Sequence, residues 1–250
     1  MQVISLNILG GAFYGPLQDF INREALQTDF FCFQEVYQSD LSEKMDGDAR
    51  TNILADLQSW LPGFESHFEP VQAGFPKPGV TAGMVIFVRK GISVQSSGKV
   101  PIHDTIYSAG NELEPPVYIQ YVRLANLTLA HIHGIVYPGS KVDTPERLDQ
   151  SRRVNEFLAK ENPPKILCGD FNLDRDAESI VLIEKGGMRN LIKEFHIMTT
   201  RSELNYAKYP AHDRQYFADY AFVSSDMKVV NFEVPVVNVS DHLPLKLQFE

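Results

Sequence analysis

The sequence predicts an α/β protein folded as a layered sandwich, and three observations support this prediction. Strand-like runs recur along the whole chain of 250 residues. Segments with apolar residues at spacings of three and four, which are typical of helices, lie between these runs. Several strands are apolar on both faces, as in Ile166-Leu167-Cys168. Each sheet is therefore expected to have helices on one side and a second sheet on the other.

The predicted strands are rich in β-branched and aromatic residues. In chain order they are Val3–Ile8, Phe30–Gln34, Gly83–Val88, Val117–Leu124, Leu127–His133, Lys165–Cys168, Ala218–Val223, Lys228–Val234 and Leu245–Phe249. The predicted helices are Gln18–Leu26, Thr51–Leu61 and Glu146–Leu158. The last helix has the clearest start, because Asp143 and Thr144 offer a capping oxygen ahead of Pro145.

Loops join these elements, and neither a repeat nor a flexible linker divides the chain. We therefore expect one domain over residues 1–250. The Pro/Gly-rich stretches at 69–79 and 110–116 are short enough to be loops. The longer loop Arg201–Phe217 contains Tyr206, Tyr209 and Tyr216. It is predicted either to line a substrate cleft or to be an ordinary surface loop.

The composition limits the classes of partner. Lys and Arg total 23 against 32 Asp and Glu, a net charge of −9, so no broad basic surface for nucleic acid is expected. A phosphate substrate would need local help, most simply from a divalent cation. One basic series would offer a nuclease a cationic track only if it lay near the site, and most of it is interpreted as the solvated face of a helix. Its members are Lys141, Arg147, Arg152, Arg153, Lys160 and Lys165.

We expect the protein to be soluble, cytoplasmic and monomeric. Cys32 and Cys168 both lie in apolar runs and are interpreted as small core residues, which suggests a reducing compartment. The N-terminal residues lack the basic region and the long apolar stretch of a secretion signal. No run approaches the roughly 20 apolar residues of a membrane span.

Polar side chains stand where apolar runs end, and carboxylates and imidazoles gathered at strand ends are typical of a metal site. Asp170 and Asn172 end one strand two residues apart, so in an extended chain both face the same point. The carboxylate can orient or deprotonate water, and the amide can donate a hydrogen bond to a phosphoryl oxygen. The alternative interpretation is an Asx turn that leaves the strand.

Further oxygen and nitrogen ligands stand at other strand ends. Asn7 lies within the first strand and Glu35 ends the second. Asp241 and His242 occupy a sharp connection before Pro244, where the acid can bind a hard cation and the imidazole can meet developing negative charge. Taken singly, each of these residues is also compatible with an ordinary strand end or turn.

Two histidines share one face of a strand, and we favour the second for function. His133 is nearer the strand end and precedes Gly134, which gives the backbone close access. His131 is interpreted as a hydrogen-bonded interior histidine. Asp219 begins a later strand and would suit the orientation of an imidazole, as a carboxylate does in a catalytic triad.

In chain order, these patches resemble the endonuclease/exonuclease/phosphatase superfamily over nearly the whole chain. The matching segments are Asn7, Gln34-Glu35, His133-Gly134, Gly169-Asp170-Phe171-Asn172, Asp219-Tyr220 and Ser240-Asp241-His242. The resemblance implies a four-layered α/β/β/α sandwich of the deoxyribonuclease I type, with two mostly antiparallel or mixed sheets. It also implies in-line hydrolysis of a phosphate ester by water, with Mg²⁺ or Mn²⁺ as cofactor.

The same resemblance assigns roles to the residues that would handle the cation and the water. Glu35 would bind the main cation, with Asn7 and Asp241 completing its surroundings directly or through water. Asp170 would position or activate the attacking water. Asn172 would hold that water or the phosphate.

By the same resemblance, histidines would stabilise charge in the transition state. These are His133 and His242, the latter oriented by Asp219. One departure concerns His133, because deoxyribonuclease I-like members carry an acidic partner just ahead of the strand that here follows Gly83, and no acid stands there. The segment from Leu6 to Gly10 also lacks the Asn-x-Asn-Gly start common in abasic-site endonucleases.

The leading prediction is a Mg²⁺- or Mn²⁺-dependent phosphodiesterase acting on a nuclease-like or small phosphodiester. The alternatives are a phosphomonoesterase of the same superfamily and a non-catalytic binding or scaffold relative. A phosphodiesterase for membrane lipids is a further alternative, although the sequence shows no amphipathic basic helix.

Overall fold

The structure, a computed structural model, describes residues 1–104, 106–107, 113–137 and 139–250. Its strands are β1 (Gln2–Asn7), β2 (Phe30–Gln38), β3 (Phe64–Ala73), β4 (Thr81–Arg89), β5 (Ser96–His103), β6 (Ile106–Tyr107), β7 (Leu113–Glu114), β8 (Val117–Leu124), β9 (Leu127–His133), β10 (Lys165–Asp170), β11 (Met188–Asn190), β12 (Asp219–Ser224), β13 (Val229–Glu233) and β14 (Leu245–Phe249). Its helices are α1 (Tyr14–Glu24), α2 (Ile53–Trp60), α3 (Pro145–Lys160), α4 (Glu178–Lys185), α5 (Leu191–Glu194) and α6 (Glu203–Tyr206).

Two six-stranded sheets form the centre of the molecule. The first has the strand order β13-β14-β1-β2-β4-β3, and the second has the order β11-β12-β10-β9-β8-β5. Each sheet is mixed, because β1 runs parallel to β2 and β9 runs parallel to β10, whereas β14 and β12 are antiparallel to their neighbours β1 and β10. This topology confirms the predicted pair of mixed sheets.

Alternating side chains of the first sheet face two different cores. In β2, Phe31 and Phe33 pack with α1 and α2, whereas Phe30 and Cys32 belong to the core shared with the second sheet. On the second sheet, α3 contacts β5 and α5 contacts β12. The resulting α/β/β/α order confirms the predicted sandwich. Among the described residues, no helix is both long and apolar enough to cross a bilayer.

Two long strands escape the sequence analysis, and both are edge strands. β3 and β5 lie at the margins of the first and the second sheet. Most side chains of β3 are half-buried or exposed, including Glu65 and Glu69, so the strand lacks the apolar run that marks a central one. Part of the stretch 69–79, which the sequence predicts to be a loop, is therefore the end of β3. Residues 110–112 of the other predicted loop lie outside the described residues.

The start of α3 is as predicted, since Thr144 Oγ1 accepts a hydrogen bond from the backbone N–H of Arg147 at 3.2 Å. The prediction of a solvated basic face is wrong at Arg147 itself, which is fully buried. Its guanidinium donates to the carbonyl oxygens of Ile135, Val136 and Val142 at 3.2, 3.1 and 2.6 Å. Arg147 therefore holds the segment that connects β9 to α3.

Candidate functional site

The candidate site lies where strands of the two sheets end close together. In the second sheet, Asp170 pairs in register with His133 of β9 on one side and with Asp219 of β12 on the other. In the first sheet, Asn7 pairs with Gln34 at the ends of β1 and the first part of β2. Because β1 and β2 both contact β10 across the sandwich, the polar strand ends of both sheets meet.

A glycine permits the close pairing that carries Asp170 into the site. Gly169 has φ of +132°, and a Cβ at this position would lie 2.1 Å from the carbonyl oxygen of Ile132. Only glycine avoids that overlap at such a backbone conformation. Gly169 therefore allows β10 to approach β9 closely, and Asp170, the next residue, supplies the carboxylate of the site.

Asp170 is the buried centre of the site. Its Oδ2 accepts a hydrogen bond from Asn7 Nδ2 at 3.1 Å and lies 3.6 Å from His242 Nε2 and 3.8 Å from His133 Nε2. Burial raises the pKa of this carboxyl, but His242, His133 and nearby cations outweigh that effect and hold the pKa well below its ordinary value. Asp170 is therefore a carboxylate at neutral pH.

Asn172 follows the strand in a turn rather than in an extended chain. Its φ is +54°, and its backbone N–H donates to Asp170 Oδ1 at 2.9 Å, which is the Asx turn considered as the alternative. Of the two interpretations that the sequence left open at Asn172, the Asx turn is the one present. The turn still leaves Asp170 Oδ2 directed at the site, and Asn172 Nδ2 donates to the carbonyl oxygen of Gly134 at 3.2 Å.

Glu35 occupies a bulge inside β2. The register of β2 against β4 shifts between Phe33 and Val36, and Glu35 has φ of +54°. The predicted strand end at Gln34 is therefore wrong, because the strand continues to Gln38 after this bulge. A bulge redirects a side chain out of the regular alternation, and here it turns Glu35 into the site.

The Glu35 carboxylate shares one amide with Asp170. Asn7 Nδ2 donates to Glu35 Oε1 at 2.9 Å as well as to Asp170 Oδ2, and Asn7 Oδ1 accepts from the backbone N–H of Leu9 at 3.0 Å. His133 Nε2 lies 3.9 Å from Glu35 Oε1. The two carboxylates are therefore held together by an amide and an imidazole. Glu35 and Asp170 therefore stand beside His133, although the sequence lacks the acid that it would be expected to carry ahead of the strand after Gly83.

His242 is paired with Asp219. Both carboxylate oxygens of Asp219 lie 2.9 Å from His242 Nδ1, and both side chains are buried. Burial and Arg201 lower the pKa of His242, but the carboxylates of Asp219 and Asp170 outweigh them, so that the net change is upward. The predicted contact between these two residues is present, and its role in catalysis stays a prediction.

Asp241 approaches the site through the turn that precedes His242. Ser240 Oγ donates to the carbonyl oxygen of Asn7 at 2.6 Å and so ties this turn to β1. Asp241 Oδ2 lies 3.2 Å from Lys208 Nζ. Burial raises the pKa of Asp241, but His242 and Lys208 outweigh burial and lower it. The predicted cation ligand is thus an ionised carboxylate that already has one cationic partner.

The structure separates the two histidines of β9. His131 is fully buried, with Nε2 at 2.5 Å from Gln34 Nε2 and Nδ1 at 3.2 Å from Gln120 Oε1. Burial, with a smaller effect of His133, lowers the pKa of His131 to about 3, so this ring is neutral. His131 is the interior histidine of the pair, and His133 is the one that faces the carboxylates.

Arg201 is a site residue that sequence reasoning missed. It is buried, its Nη1 donates to His242 Nε2, and the two residues form an isolated antiparallel bridge. Its Nε has no hydrogen-bond partner among the described residues. Thr200 beside it accepts from the backbone N–H of Asp219 at 3.1 Å. No local pattern signals this, because Arg201 begins what looks in the sequence like a polar loop.

Lys141 is the second missed residue. Its side chain is buried, and its Nζ donates to Asn172 Oδ1. Burial lowers the pKa of Lys141 to about 8, against the attraction of Asp170. The interpretation of Lys141 as part of a solvated basic series is therefore wrong. The one indication in the sequence is its position. Lys141 lies in the short segment between His133 and α3, and this segment passes close to Asn172 in the structure.

Two ligand types for a cation, carboxylate oxygen and imidazole nitrogen, converge at the centre of the site. Oxygen or nitrogen atoms of Asp170, Asp219 and His242 all lie within 4.8 Å of one another. Asp219 is already hydrogen-bonded to His242 Nδ1, so these three residues form a hydrogen-bonded chain rather than a set of free metal ligands. The Glu35 carboxylate is less occupied than those of Asp170 and Asp219, since its only ion-pair partner in the described part of the chain is His133 at 3.9 Å. An acidic oxygen donor of this kind fits a hard divalent cation.

The loop Arg201–Phe217 does line a cavity. Together with Lys141 and Arg175 it encloses about 570 Å³ beside the Asn172 side of the site. Arg214 stacks over the Tyr206 ring at 5.3 Å, and Arg175 stacks over the Phe217 ring at 5.3 Å. Of the two interpretations that the sequence left open, the structure supports a loop that lines a cavity.

Comparison with known proteins agrees with this geometry. The Endonuclease/Exonuclease/phosphatase family model matches residues 4–242. No curated protein has a matching sequence. A family protein from Leptotrichia buccalis is 16% identical, with a TM-score of 0.70 over 100% of this chain and 99% of that one. A mannosyl-6-phosphatase from Bacteroides thetaiotaomicron is 18% identical, with a TM-score of 0.65 over 100% and 99%.

A third solved structure is that of D. rerio TDP2 with a single-strand DNA product. It is 15% identical, with a TM-score of 0.69 over 100% of this chain and 98% of that one. At these identities the structural likeness establishes the deoxyribonuclease I-like fold and not the substrate. Because the family model extends over nearly its full length, the chain belongs to the endonuclease/exonuclease/phosphatase family.

Proposed function

We propose that this protein is a Mg²⁺- or Mn²⁺-dependent phosphodiesterase that hydrolyses its substrate by in-line attack of water. One observation carries the proposal. The buried Asp170 carboxylate stands among the Asn7 amide and the imidazoles of His133 and His242, with the Glu35 carboxylate bound to the same amide. This set of groups suits the positioning of water and the neutralisation of phosphoryl charge.

The residues that would hold the cation are Glu35 and its neighbours. The Glu35 carboxylate is 26% exposed, so one side is open to a ligand while Asn7 fixes the other. Asp241 and Asn7 lie on the adjoining turn and strand, which Ser240 ties together. When bound, Mg²⁺ or Mn²⁺ supplies positive charge to the phosphoryl oxygens.

Asp170 serves to orient the attacking water. A carboxylate whose pKa is well below its ordinary value is a weak base, so it is poorly suited to keep the proton of that water. Its Oδ1 is occupied by the backbone of Asn172, which leaves Oδ2 as the acceptor toward the site. A water that donates to Oδ2 would also lie within reach of His133 and His242.

His242 and Arg201 stabilise the charge that develops on the phosphate. In the present arrangement, Arg201 donates to His242 Nε2, and His242 Nδ1–H donates to Asp219. Nε2 cannot accept from Arg201 and carry a proton at the same time, so Arg201 and a proton compete for it. A phosphate oxygen beside them would accept from both groups and remove this competition.

A phosphomonoesterase is the second candidate, and the two buried cations favour it. Lys141 and Arg201 both reach the site, from the Asn172 side and from the His242 side. Two fixed positive charges suit the dianion of a phosphomonoester better than the single charge of a diester. Among the similar structures, one is named as a mannosyl-6-phosphatase, which supports this candidate, and another contains a single-strand DNA product.

The test is hydrolysis of bis(p-nitrophenyl) phosphate and of p-nitrophenyl phosphate with Mg²⁺, with Mn²⁺ and with a chelator. Wild type is compared with Asp170→Asn and Glu35→Gln, and Asp226→Asn, an exposed carboxylate in a surface turn, serves as the matched control. We expect metal-dependent turnover of the diester in wild type and in the control, with a loss of about 10²-fold or more in the other two variants. Faster turnover of the monoester would establish the second candidate. No turnover of either compound, together with no Mn²⁺ binding, would refute both and indicate a non-catalytic relative.

A further inference from the structure

A second cavity opens directly from the catalytic groups, and Lys141 is not among its lining residues. It has a volume of about 560 Å³ and lies between the ends of β2 and β4 in the first sheet and of β8 and β9 in the second. Glu35 and His133 form its inner end. This volume falls within the range of about 300–1,000 Å³ that is typical of small-molecule sites.

The lining of this cavity is mostly apolar and includes four Phe or Tyr side chains. Its floor includes Met84, Val117 and Ile135, which are 1%, 5% and 1% exposed. These side chains are packed in the core, so the floor is preformed and does not need a ligand to order it. We call this cavity the aromatic cleft, after the ring-bearing residues that form its walls, which are Tyr37, Phe75, Tyr118 and Tyr137.

The aromatic walls are arranged to receive a further ring. Tyr37 and Phe75 form an edge-to-face pair, with ring centroids 6.5 Å apart and planes at 72°. Phe75 is nevertheless 46% exposed, which leaves much of its surface available. Burial, with a smaller contribution from Glu35, raises the pKa of Tyr37, so its phenol stays neutral. Aromatic rings prefer such offset and edge-to-face partners over featureless apolar contact.

The lining of the cleft disfavours a polyanionic occupant, although Lys99 Nζ lies 4.6 Å from the centroid of one of its rings, that of Tyr118. Among the described residues that line it, none is Lys or Arg, and its one acidic residue is Glu35 at the inner end. The cavity lined by the loop Arg201–Phe217 differs in charge, because Lys141, Arg175 and Arg214 are among its lining residues. A nucleic-acid strand would need cations along its path. A neutral apolar group needs none.

We propose that the aromatic cleft binds the aryl group of a small phosphate ester whose phosphate lies at Glu35 and His133. This assignment rests on the proposed function, since it places the reacting phosphate in the same site. The continuity of the cleft with the catalytic residues fixes where the ring stands relative to the phosphate. The aromatic walls, the buried floor and the absence of a lining cation among the described residues together fix its chemical class.

Binding to the inactive variant Asp170→Asn tests this assignment by calorimetry in the presence of Mg²⁺. The probes are phenyl phosphate, n-hexyl phosphate and inorganic phosphate, of which the first two carry the same number of carbon atoms. We expect phenyl phosphate to bind more tightly than both of the others. Adding Phe75→Ala should weaken phenyl phosphate about threefold to tenfold, with inorganic phosphate unchanged. Phe75→Tyr should restore the binding.

The control is Leu26→Ala, because Leu26 is 80% exposed and does not line the cleft. This change should leave all three affinities as they are. Equal affinities for phenyl phosphate and inorganic phosphate would overturn the assignment, as would a Phe75→Ala effect that is the same for both. Tighter binding of n-hexyl phosphate would overturn the aryl class in favour of an alkyl chain.

Turnover by the wild-type protein separates this assignment from the proposed function. If phenyl phosphate binds in a Phe75-dependent way but neither p-nitrophenyl ester is hydrolysed and Mn²⁺ is not bound, the proposed function fails and the cleft assignment stands. If hydrolysis is metal-dependent but Phe75→Ala leaves the KM of aryl and alkyl esters equally unchanged, the proposed function stands and the cleft assignment fails.

Discussion

Replacing Arg147 by methionine should destabilise the protein, because three backbone carbonyl groups would lose their donor. The buried guanidinium donates to the carbonyl oxygens of Ile135, Val136 and Val142. Methionine is flexible enough to occupy the space but donates no hydrogen bond. The three carbonyls belong to the segment between β9 and α3, which also carries Lys141 into the site, so the substitution should affect both stability and activity.

The magnitude follows from those three bonds. A hydrogen bond from a charged donor contributes about 1.5–3 kcal/mol, and the bonds to Val136 and Val142 contribute less because they are only partly buried, so the three together give about 3–7 kcal/mol. Burying the guanidinium itself costs several kcal/mol, which methionine removes, and we therefore expect a net loss near the lower end, about 3–5 kcal/mol. For a chain of this length each kcal/mol lowers the Tm by about 2–4 °C, which gives a decrease on the order of 10 °C.

Urea unfolding measures this loss, followed by circular dichroism and by the fluorescence of Trp60, the single tryptophan of the chain. Arg147→Lys should lie between wild type and Arg147→Met, because one ammonium group cannot reach all three carbonyls in the fork geometry of a guanidinium. Arg152→Met is the matched control, since Arg152 lies on the same helix with a 57% exposed side chain. A loss below about 1 kcal/mol in Arg147→Met would refute the reasoning, because surface substitutions reach only about half that value.

Four further predictions concern the site itself. Glu35→Gln should weaken Mn²⁺ binding at least about tenfold in electron paramagnetic resonance titrations, because it removes the freest carboxylate, and unchanged affinity would show that the cation is held elsewhere. Since burial lowers the pKa of Lys141 to about 8, kcat/KM should fall as the pH rises through about 8, and Lys141→Met should lack this alkaline decrease. The lowered pKa of Lys141 also affects stability. Between pH values of about 8 and 10.5, Lys141 is largely neutral in the folded protein but protonated in the unfolded chain. The stability of wild type relative to Lys141→Met should therefore increase as the pH rises through this window. Asp219→Asn should lower the pKa of His242 in a nuclear magnetic resonance titration of its ring protons and reduce kcat about 10²-fold, and an unshifted titration would mean that Asp219 does not control this imidazole.

The layered fold could be predicted because its central strands are buried on both sides. Phe30, Phe31, Cys32 and Phe33 are all apolar, and the structure divides them alternately between two cores. The same physical cause explains the misses, since β3 and β5 are edge strands whose side chains are partly solvated and carry no apolar run.

Part of the candidate site could also be located in the sequence. A polar side chain is costly to bury within an apolar sheet, so polar residues that follow apolar runs are expected at the ends of strands. The backbone conformation at these residues could not be predicted in this way. Glu35 faces the site from a bulge inside β2, and Asn172 forms an Asx turn after β10. A bulge and an extended strand end leave similar traces in the sequence, because both interrupt an alternation at a polar residue.

The sequence by itself determined the central strands, the layered order and the set of acids, amides and histidines near Asp170. The tertiary structure decided the surroundings that set their chemistry. Arg201 meets His242 across 41 positions of the chain, and Lys141 meets Asn172 across 31, so neither contact leaves a trace in local periodicity. Hydrophobic periodicity records which side of a strand or helix is buried, whereas the pairing of buried charges depends on segments that only folding brings together.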